Sequence, residues 1–220
     1  MSLYAANLAF LLRRHNIAAE KLSAQLGISN LAHPLPDDFQ RIAGNFSLTT
    51  DLLLGTDLES REAQRAKDIR LLVFDIDGVL TDAGMYYTES GDELKKFNAK
   101  DGLAIRHIRQ RGIHTGIISH GFNTSLVTRR AERLHIGLVE ISQAPKLETL
   151  SRWCAQLGIT KKNVCFIGDD LNDEDVLRAA GFSACPADAV DAVKNMVHVV
   201  LGKKGGEGCV RELIDVYLQE

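Results

Sequence analysis

From Ile69 onward, short and continuously apolar runs alternate with stretches of helical period. The runs Leu71–Phe74, Thr115–Ile118, Val164–Ile167 and Val197–Leu201 are too short for helices and carry no polar alternation, so they predict strands buried on both faces. Amphipathic patterns over 102–112, 124–135, 146–157, 173–180, 188–196 and 209–219 predict the intervening helices. Strands separated by helices are the signature of an α/β fold, here a Rossmann-like parallel sheet with helices on both faces. One stretch breaks the alternation. Met85–Thr88 and Glu93–Asn98, joined through Glu89-Ser90-Gly91-Asp92, read as a β-hairpin inserted after the first strand. Ligands of such sheets bind at the carboxyl ends of the strands, so the hairpin is expected to overhang the site.

The first part of the chain has a different texture. Helical patterns over Asn7–Asn16, Ala19–Leu26 (stopped by Gly27) and Asp37–Phe46, ahead of Leu52–Leu54, predict a small all-helical domain over residues 1–58. Residues 59–68 are charged and lack an apolar stripe, which suits a linker or an exposed helix. The α/β domain then occupies 69–220.

Composition narrows the class. The 220 residues are 45% hydrophobic and 25% charged, with a formal net charge of −3, as in an ordinary soluble globular protein. That balance offers no basic field for nucleic acid, and no apolar run reaches the roughly 18–20 residues that span a bilayer. The basic pair Arg13-Arg14 follows the first apolar stretch instead of preceding it, unlike a signal peptide, so the expected location is the cytoplasm. Cys154, Cys165, Cys185 and Cys209 form no Cys-x-x-Cys pair and read as reduced core thiols.

The candidate chemistry lies in carboxylates. The first strand runs into Asp75-Ile76-Asp77-Gly78, and Val164–Ile167 runs into Gly168-Asp169-Asp170-Leu171-Asn172-Asp173. Both clusters should reach the same sheet edge, where crowded carboxylates need a cation; hard oxygen ligands suit Mg²⁺. Ser119 closes the strand Thr115–Ile118, and Lys146 opens a helix. A hydroxyl and an ammonium beside a metal-bound carboxylate make a phosphate site, and an aspartate there can serve as nucleophile.

The set Asp75-x-Asp77-Gly78-Val79-x-Thr81, Ser119, Lys146 and Gly168-Asp169-Asp170-x-x-Asp173 resembles the haloacid dehalogenase superfamily of phosphohydrolases. The resemblance implies Asp75 as nucleophile and Asp77 as general acid/base. It implies Asp75, Asp169 and the backbone carbonyl of Asp77 as Mg²⁺ ligands, with Asp170 and Asp173 behind them, and Ser119 and Lys146 on the phosphoryl oxygens. The intervals from Asp75 to Ser119 and from Lys146 to Asp169 cannot hold a separate cap domain.

The text Leu80-Thr81-Asp82, Met85-Tyr86-Tyr87, Gly91-Asp92-Glu93, Lys96-Phe97-Asn98-x-x-Asp101-Gly102 and the tail Lys204-Gly205-Gly206-Glu207-Gly208-x-x-Arg211-Glu212 resembles a capless subgroup. These are the 3-deoxy-manno-octulosonate 8-phosphate phosphatases and their relatives acting on nonulosonate 9-phosphates. By that resemblance the substrate is a small phosphorylated sugar acid and the assembly a homotetramer, with a neighbour's tail closing each site. Lys100, Asp101 and Gly102 would line the sugar pocket, and Arg106 and Arg130 would lie near the acidic end of the substrate. The chain departs from the subgroup in two places. Ser119-His120-Gly121-Phe122 replaces a Thr/Ser-Gly-Arg or Thr-Gly-Glu run, and Ile141-Ser142 and Pro145 replace Gln-Gly and Asp ahead of Lys146. The catalytic set is intact while the recognition set is altered; His120 is a candidate to replace the missing contact.

Lys21-Leu22-x-x-Gln25-Leu26-Gly27-Ile28-Ser29 and its surroundings resemble phage-repressor helix-turn-helix domains. Here Asn30–His33 leads straight to Pro34-Leu35-Pro36, too short for a recognition helix, and residues 1–68 carry seven basic against eight acidic side chains. Phosphate contacts supply much of DNA affinity, so a degenerate helical appendage is expected and nucleic acid is not. Two alternatives to the sugar-acid phosphatase stay open: a phosphatase for another small sugar phosphate, and a regulator using the fold as a ligand sensor.

Overall fold

The computed structural model describes residues 2–46, 48–120 and 124–218. The helices α1 (Leu3–Arg14), α2 (Ala19–Leu26), α3 (Pro36–Asn45), α4 (Thr50–Gly55) and α5 (Leu58–Lys67) come first. They are followed by β1 (Leu71–Phe74), β2 (Tyr86–Tyr87), β3 (Glu93–Leu94), α6 (Ala99–Gln110), β4 (His114–Ser119), α7 (Thr124–Leu134), β5 (Leu138–Ile141) and α8 (Lys146–Leu157). The chain ends with β6 (Val164–Ile167), α9 (Glu174–Ala179), β7 (Phe182–Cys185), α10 (Asp191–Lys194), β8 (Val199–Val200) and α11 (Cys209–Tyr217).

The six long-range strands form one parallel sheet in the order β5-β4-β1-β6-β7-β8. The chain leaves β1 toward one side through β4 and β5, then crosses to the other side at β6. The reversal leaves a crevice at the carboxyl ends of β1, β4 and β6, which is where ligands bind in open α/β sheets. Phe74 is in register with Ile117 of β4 and with Ile167 of β6, so the residues after each strand emerge at one edge. Every residue of β1 and β6 is buried, because a separate apolar core covers each face of the sheet. That explains the uninterrupted apolar runs.

Two strands carry no comparable run. In β5, Glu140 interrupts the apolar residues; this is an edge strand, and all its residues are only half-buried. In β7, Ser183 is buried, and its hydroxyl is satisfied 2.8 Å from His198 Nδ1. The expected strand over Val197–Leu201 is cut to Val199–Val200, the residues that pair with Ala184 and Cys185. The hairpin forms over Tyr86–Tyr87 and Glu93–Leu94, with a further bridge between Thr81 and Phe97.

The first helices bury their own apolar cluster, including Leu11, Leu22, Ile42 and Leu53. Residues 59–68 belong to α5, whose Leu58 and Glu62 are buried. Arg14 pairs with Glu62 at 3.0 Å, with side chains only 10% and 9% exposed. This pair lines a cavity of about 400 Å³ that Phe10, Phe182 and Tyr217 share, so the helical unit is seated against β7 and α11. A buried ion pair adds little net stability, but this one ties α5 to α1 at the seam. All four cysteines are free and buried, and no helix among the described residues is long and apolar enough to cross a membrane.

The same seam makes the fold sensitive to acid. His198 Nδ1 accepts the Ser183 N–H at 3.1 Å, which requires a neutral ring. Burial pushes His198 down to about 3, helped by the cations of Arg14, Arg61, Arg65 and His15. His15 falls to about 3 through burial and Arg14. Both rings titrate near 6.5 once exposed, so the unfolded chain takes up their protons first. Their contribution is complete above about pH 6.5 and drains away as pH falls toward 3. Raised carboxyl groups such as Glu62, pushed up to about 7 by burial, work in the opposite sense as pH rises from 4.5 to 7, so the histidine contribution is read as a difference between wild type and variant. We expect His198→Gln to remove up to about 1.4 kcal/mol per pH unit of acid destabilisation relative to the wild type between pH 6.5 and 4.5, read from the two proteins' unfolding midpoints. A variant with an unchanged slope would show that the ring is not held neutral.

Candidate active site

Asp75 follows β1 directly and is buried, its backbone N–H bonded to Ile167 O of β6 at 3.0 Å. One carboxylate oxygen accepts the Ile76 N–H at 2.8 Å, and the other lies 3.0 Å from Lys146 Nζ. Lys146 is the first residue of α8 and is buried; its ammonium also reaches Asp173 at 2.6 Å. Asp173 is fully buried and its second oxygen accepts the Asp169 N–H at 3.0 Å. Oxygens of Asp75, Asp169 and Asp173 all lie within 4.8 Å of one another. Thus β1, β6 and α8 gather three carboxylates, two of them on one ammonium.

The electrostatics follow from that count. Burial and the Asp173 charge push Asp75 up to about 7. Burial, then Asp75 and Asp173, push Asp169 up to about 8. Burial alone would depress the Lys146 ammonium, but Asp75 and Asp173 outweigh it and leave it raised. Asp169 Oδ1 is buried with no hydrogen-bond partner. A buried, unpartnered carboxylate oxygen among like charges is costly, and a divalent cation with hard oxygen ligands supplies what is missing.

The turn after Asp75 is shaped for close approach. Gly78 has φ +84°, and a Cβ there would stand 2.0 Å from Asp169 Oδ2. Behind the turn sits the tail. Gly206 N–H donates to Val79 O at 3.0 Å, and a Cβ on Gly205 would stand 2.0 Å from Gly78 O. The chain's own tail therefore supports this turn.

Asp77 is partly exposed, and its Oδ1 takes two donors, Lys95 Nζ at 2.5 Å and Thr81 Oγ1 at 3.3 Å. Lys95 also reaches Glu93 Oε1 at 3.1 Å. Neither Lys95 nor Glu93 was singled out by the sequence pattern. The available signal was the alternation Glu93-x-Lys95-x-Phe97, which puts charges on the inward face of the hairpin while Leu94 and Lys96 face out.

Ser119 is buried at the end of β4, within the same edge. Asp170 is exposed and bonded to the Leu171 N–H at 2.7 Å. The expected sugar-contact residues divide. Lys100 is exposed at the start of α6. Asp101 is buried and accepts the Arg211 N–H at 2.7 Å, so it caps α11 and ties the tail to α6. Gly102 makes room for Arg130, whose Nη2 would lie 2.8 Å from a Cβ there. Arg130 stacks over Phe97 at 5.0 Å and donates to Asn98 O at 3.2 Å. It lines a cleft of about 610 Å³ that also holds Lys95, Arg129 and Arg133. Arg106 is not brought to that cleft; it is exposed in a separate groove with Arg211 and Asp215. His120 Nε2 lies 3.0 Å from Ala144 O, while Gly121 and Phe122 fall outside the described residues.

A haloacid dehalogenase-like hydrolase family model matches residues 117–213. Over 155 residues the chain is 39% identical to the 3-deoxy-D-manno-octulosonate 8-phosphate phosphatase of Yersinia pestis, covering 70% of this chain and 82% of that protein. The chain belongs to the haloacid dehalogenase-like hydrolases. The corresponding phosphatase of Haemophilus influenzae is 35% identical over 156 residues, 71% of this chain and 86% of its own. A crystal structure of the Moraxella catarrhalis phosphatase with a magnesium ion, a phosphate ion and a KDO molecule superposes with a TM-score of 0.70 at 34% identity. That match covers 72% of this chain and 91% of the other. The cobalt-bound Haemophilus influenzae enzyme gives 0.68 at 34% identity, covering 71% and 91%. This hydrolase is a phosphomonoesterase, as the motifs imply, and its fold is the Rossmann-like sheet expected.

If Asp169 lacks only a cation, adding Mg²⁺ should raise the melting temperature of this hydrolase, with about 2.7 kcal/mol gained at a hundredfold excess over Kd. Asp169→Asn should abolish the Mg²⁺-dependent gain in scanning fluorimetry, with EDTA as the baseline. An equal gain in both proteins would move the cation elsewhere.

Proposed function

We propose that this phosphatase hydrolyses a phosphorylated 2-keto-3-deoxy sugar acid of the 3-deoxy-D-manno-octulosonate 8-phosphate type, with Mg²⁺ and through an aspartyl-phosphate. The observation that carries the mechanism is Asp75, buried at a strand end with one oxygen on Lys146 and facing an unpartnered Asp169. The substrate class is supported by relatives of that specificity at 35–39% identity and by the basic cleft of Lys95, Arg129, Arg130 and Arg133.

Asp75, Asp169 and the Asp77 carbonyl would hold the Mg²⁺, which supplies charge neutralisation for an anionic phosphoryl group approaching carboxylates. Lys146 and Ser119 bind the phosphoryl oxygens. Asp75 attacks phosphorus, the Asp75 O–P bond forms, and the bond to the sugar oxygen breaks as Asp77 gives that oxygen its proton. Asp77 then takes a proton from water, which attacks phosphorus and frees Asp75. Lys100, Asp101 and Gly102 serve the sugar side through the start of α6, and Arg130 meets the acidic end. Arg106 serves it only from another protomer, since its groove is separate.

The same reading makes the protein a cytoplasmic homotetramer joined through its hairpins. Support comes from Met85, Tyr86, Tyr87 and Leu94, which are all more than half exposed on that insertion. Residues 1–58 are read as a degenerate helical appendage used for packing, oligomerisation or partner contact, with Arg14 tied to Glu62 of α5.

The altered loop favours keeping a second substrate in view. His120 is bonded to a backbone carbonyl where the subgroup presents a charged reader, so a nonulosonate 9-phosphate is the competing substrate. The deciding assay is phosphate release with Mg²⁺ from both sugar-acid phosphates, a hexose 6-phosphate and p-nitrophenyl phosphate. We expect a strong preference for the octulosonate ester, no activity in Asp75→Asn, and a loss of about 10²–10⁴-fold in Asp77→Asn. No turnover of any ester would reject the enzyme reading and favour a ligand sensor.

A further inference from the structure

The hairpin does more than overhang the crevice: it delivers a cation to the residue that must hand over the leaving-group proton. The Lys95 side chain is only 7% exposed although it directly follows a two-residue strand at the surface. Its ammonium lies between two carboxylates, Asp77 on the turn after β1 and Glu93 two positions back on the same strand face. Burying that ammonium is costly unless its donors are spent, and here they are spent on Asp77 and Glu93. Thr81 adds a second donor to the same Asp77 oxygen. Both donors converge on Oδ1, so the carboxyl plane is fixed and Oδ2 is the atom left for proton traffic.

We propose that Lys95 is a positioning residue for proton transfer: by clamping Asp77 Oδ1 from the hairpin, it presents Oδ2–H to the leaving oxygen of the phosphate ester. The inference rests on the phosphatase reading above and on Asp77 as its acid. In the step concerned, the Asp75 oxygen bonds to phosphorus and the phosphorus–oxygen bond of the ester breaks. The electron pair of that bond goes to the leaving oxygen, which receives the Oδ2 proton. Glu93 fixes the ammonium from its other side, so the hairpin carries the clamp as a preformed pair. Lys96, the next residue, points the other way and pairs with Asp82 at 3.0 Å, so it provides an internal control.

The role has a signature that sugar binding or simple destabilisation lacks. An acid matters most when the leaving group is a poor one, and an aryl series carries no sugar to contact. The test is kcat/KM for 4-nitrophenyl, 4-chlorophenyl and phenyl phosphates with Mg²⁺, because this ratio reports the step in which the ester bond breaks. Lys95→Met should lose on the order of 10²-fold more on phenyl phosphate than on 4-nitrophenyl phosphate, steepening the dependence on leaving-group pKa. Lys95→Arg should restore the wild-type slope, and Lys96→Met should keep it. A parallel drop across the series in Lys95→Met, or no change at all, overturns the inference while leaving the phosphatase intact. A wild-type protein inactive on every ester overturns both.

Discussion

Three carboxylates around one ammonium are the constraint on which this molecule turns. Lys146 bonds to Asp75 and Asp173, Asp173 holds the backbone of Asp169, and Asp169 is left with a bare oxygen against Gly78. Removing Lys146 would leave Asp75 and Asp173 buried without their cation, a situation that costs far more than a surface ion pair contributes. The elements carrying these residues must therefore meet in one register. Strands β1 and β6 are adjacent, α8 begins at Lys146, and glycines stand where any Cβ would force the carboxylates apart. The charge imbalance that remains is the chemical potential of the site: it attracts a cation first and an anionic phosphoryl group after it.

Much of this was legible along the chain, and for a definite reason. β1, β6 and α8 have the bounds that periodicity assigns them, because strands buried on both faces and an amphipathic helix leave unambiguous patterns. β5 and β7 left weaker ones: Glu140 lies on a half-buried edge, and Ser183 is satisfied by a histidine fifteen residues on. Asp75, Asp77, Ser119, Lys146 and Asp169 announce themselves by residue type at strand ends. Lys95 does not, since a lysine in an exposed hairpin reads as a solvated charge until the fold brings Asp77 beside it. The arginines follow the same logic. Whether a helix arginine faces a cleft or a groove depends on packing angles that spacing alone does not carry, and so Arg130 and Arg106 part company.

The helical unit at the start of the chain obeys a different economy. Its cluster around Leu11, Leu22, Ile42 and Leu53 takes in Leu58 of its last helix, which is otherwise mostly polar and packs Ala66 on the sheet core. Arg14 and Glu62 tie that helix to α1 at the seam, in a place where neither charge would be stable alone. The histidines on the same seam must stay neutral for the unit to remain seated. Its attachment is thus sensitive to acidity in a way that the carboxylate centre, some elements away, does not share.

The tail contact has a consequence in time. The turn after Asp75 leans on Gly205 and Gly206, and Asp101 caps the helix that begins at Cys209. During synthesis the strand that leads into Asp75 is made more than a hundred residues before the segment that braces it. A nascent chain can assemble most of its sheet while still tethered to the ribosome, but its reactive carboxylates acquire their final support only once residues 205–211 have emerged. The brace of the carboxylate turn is thus made long after the strand it serves.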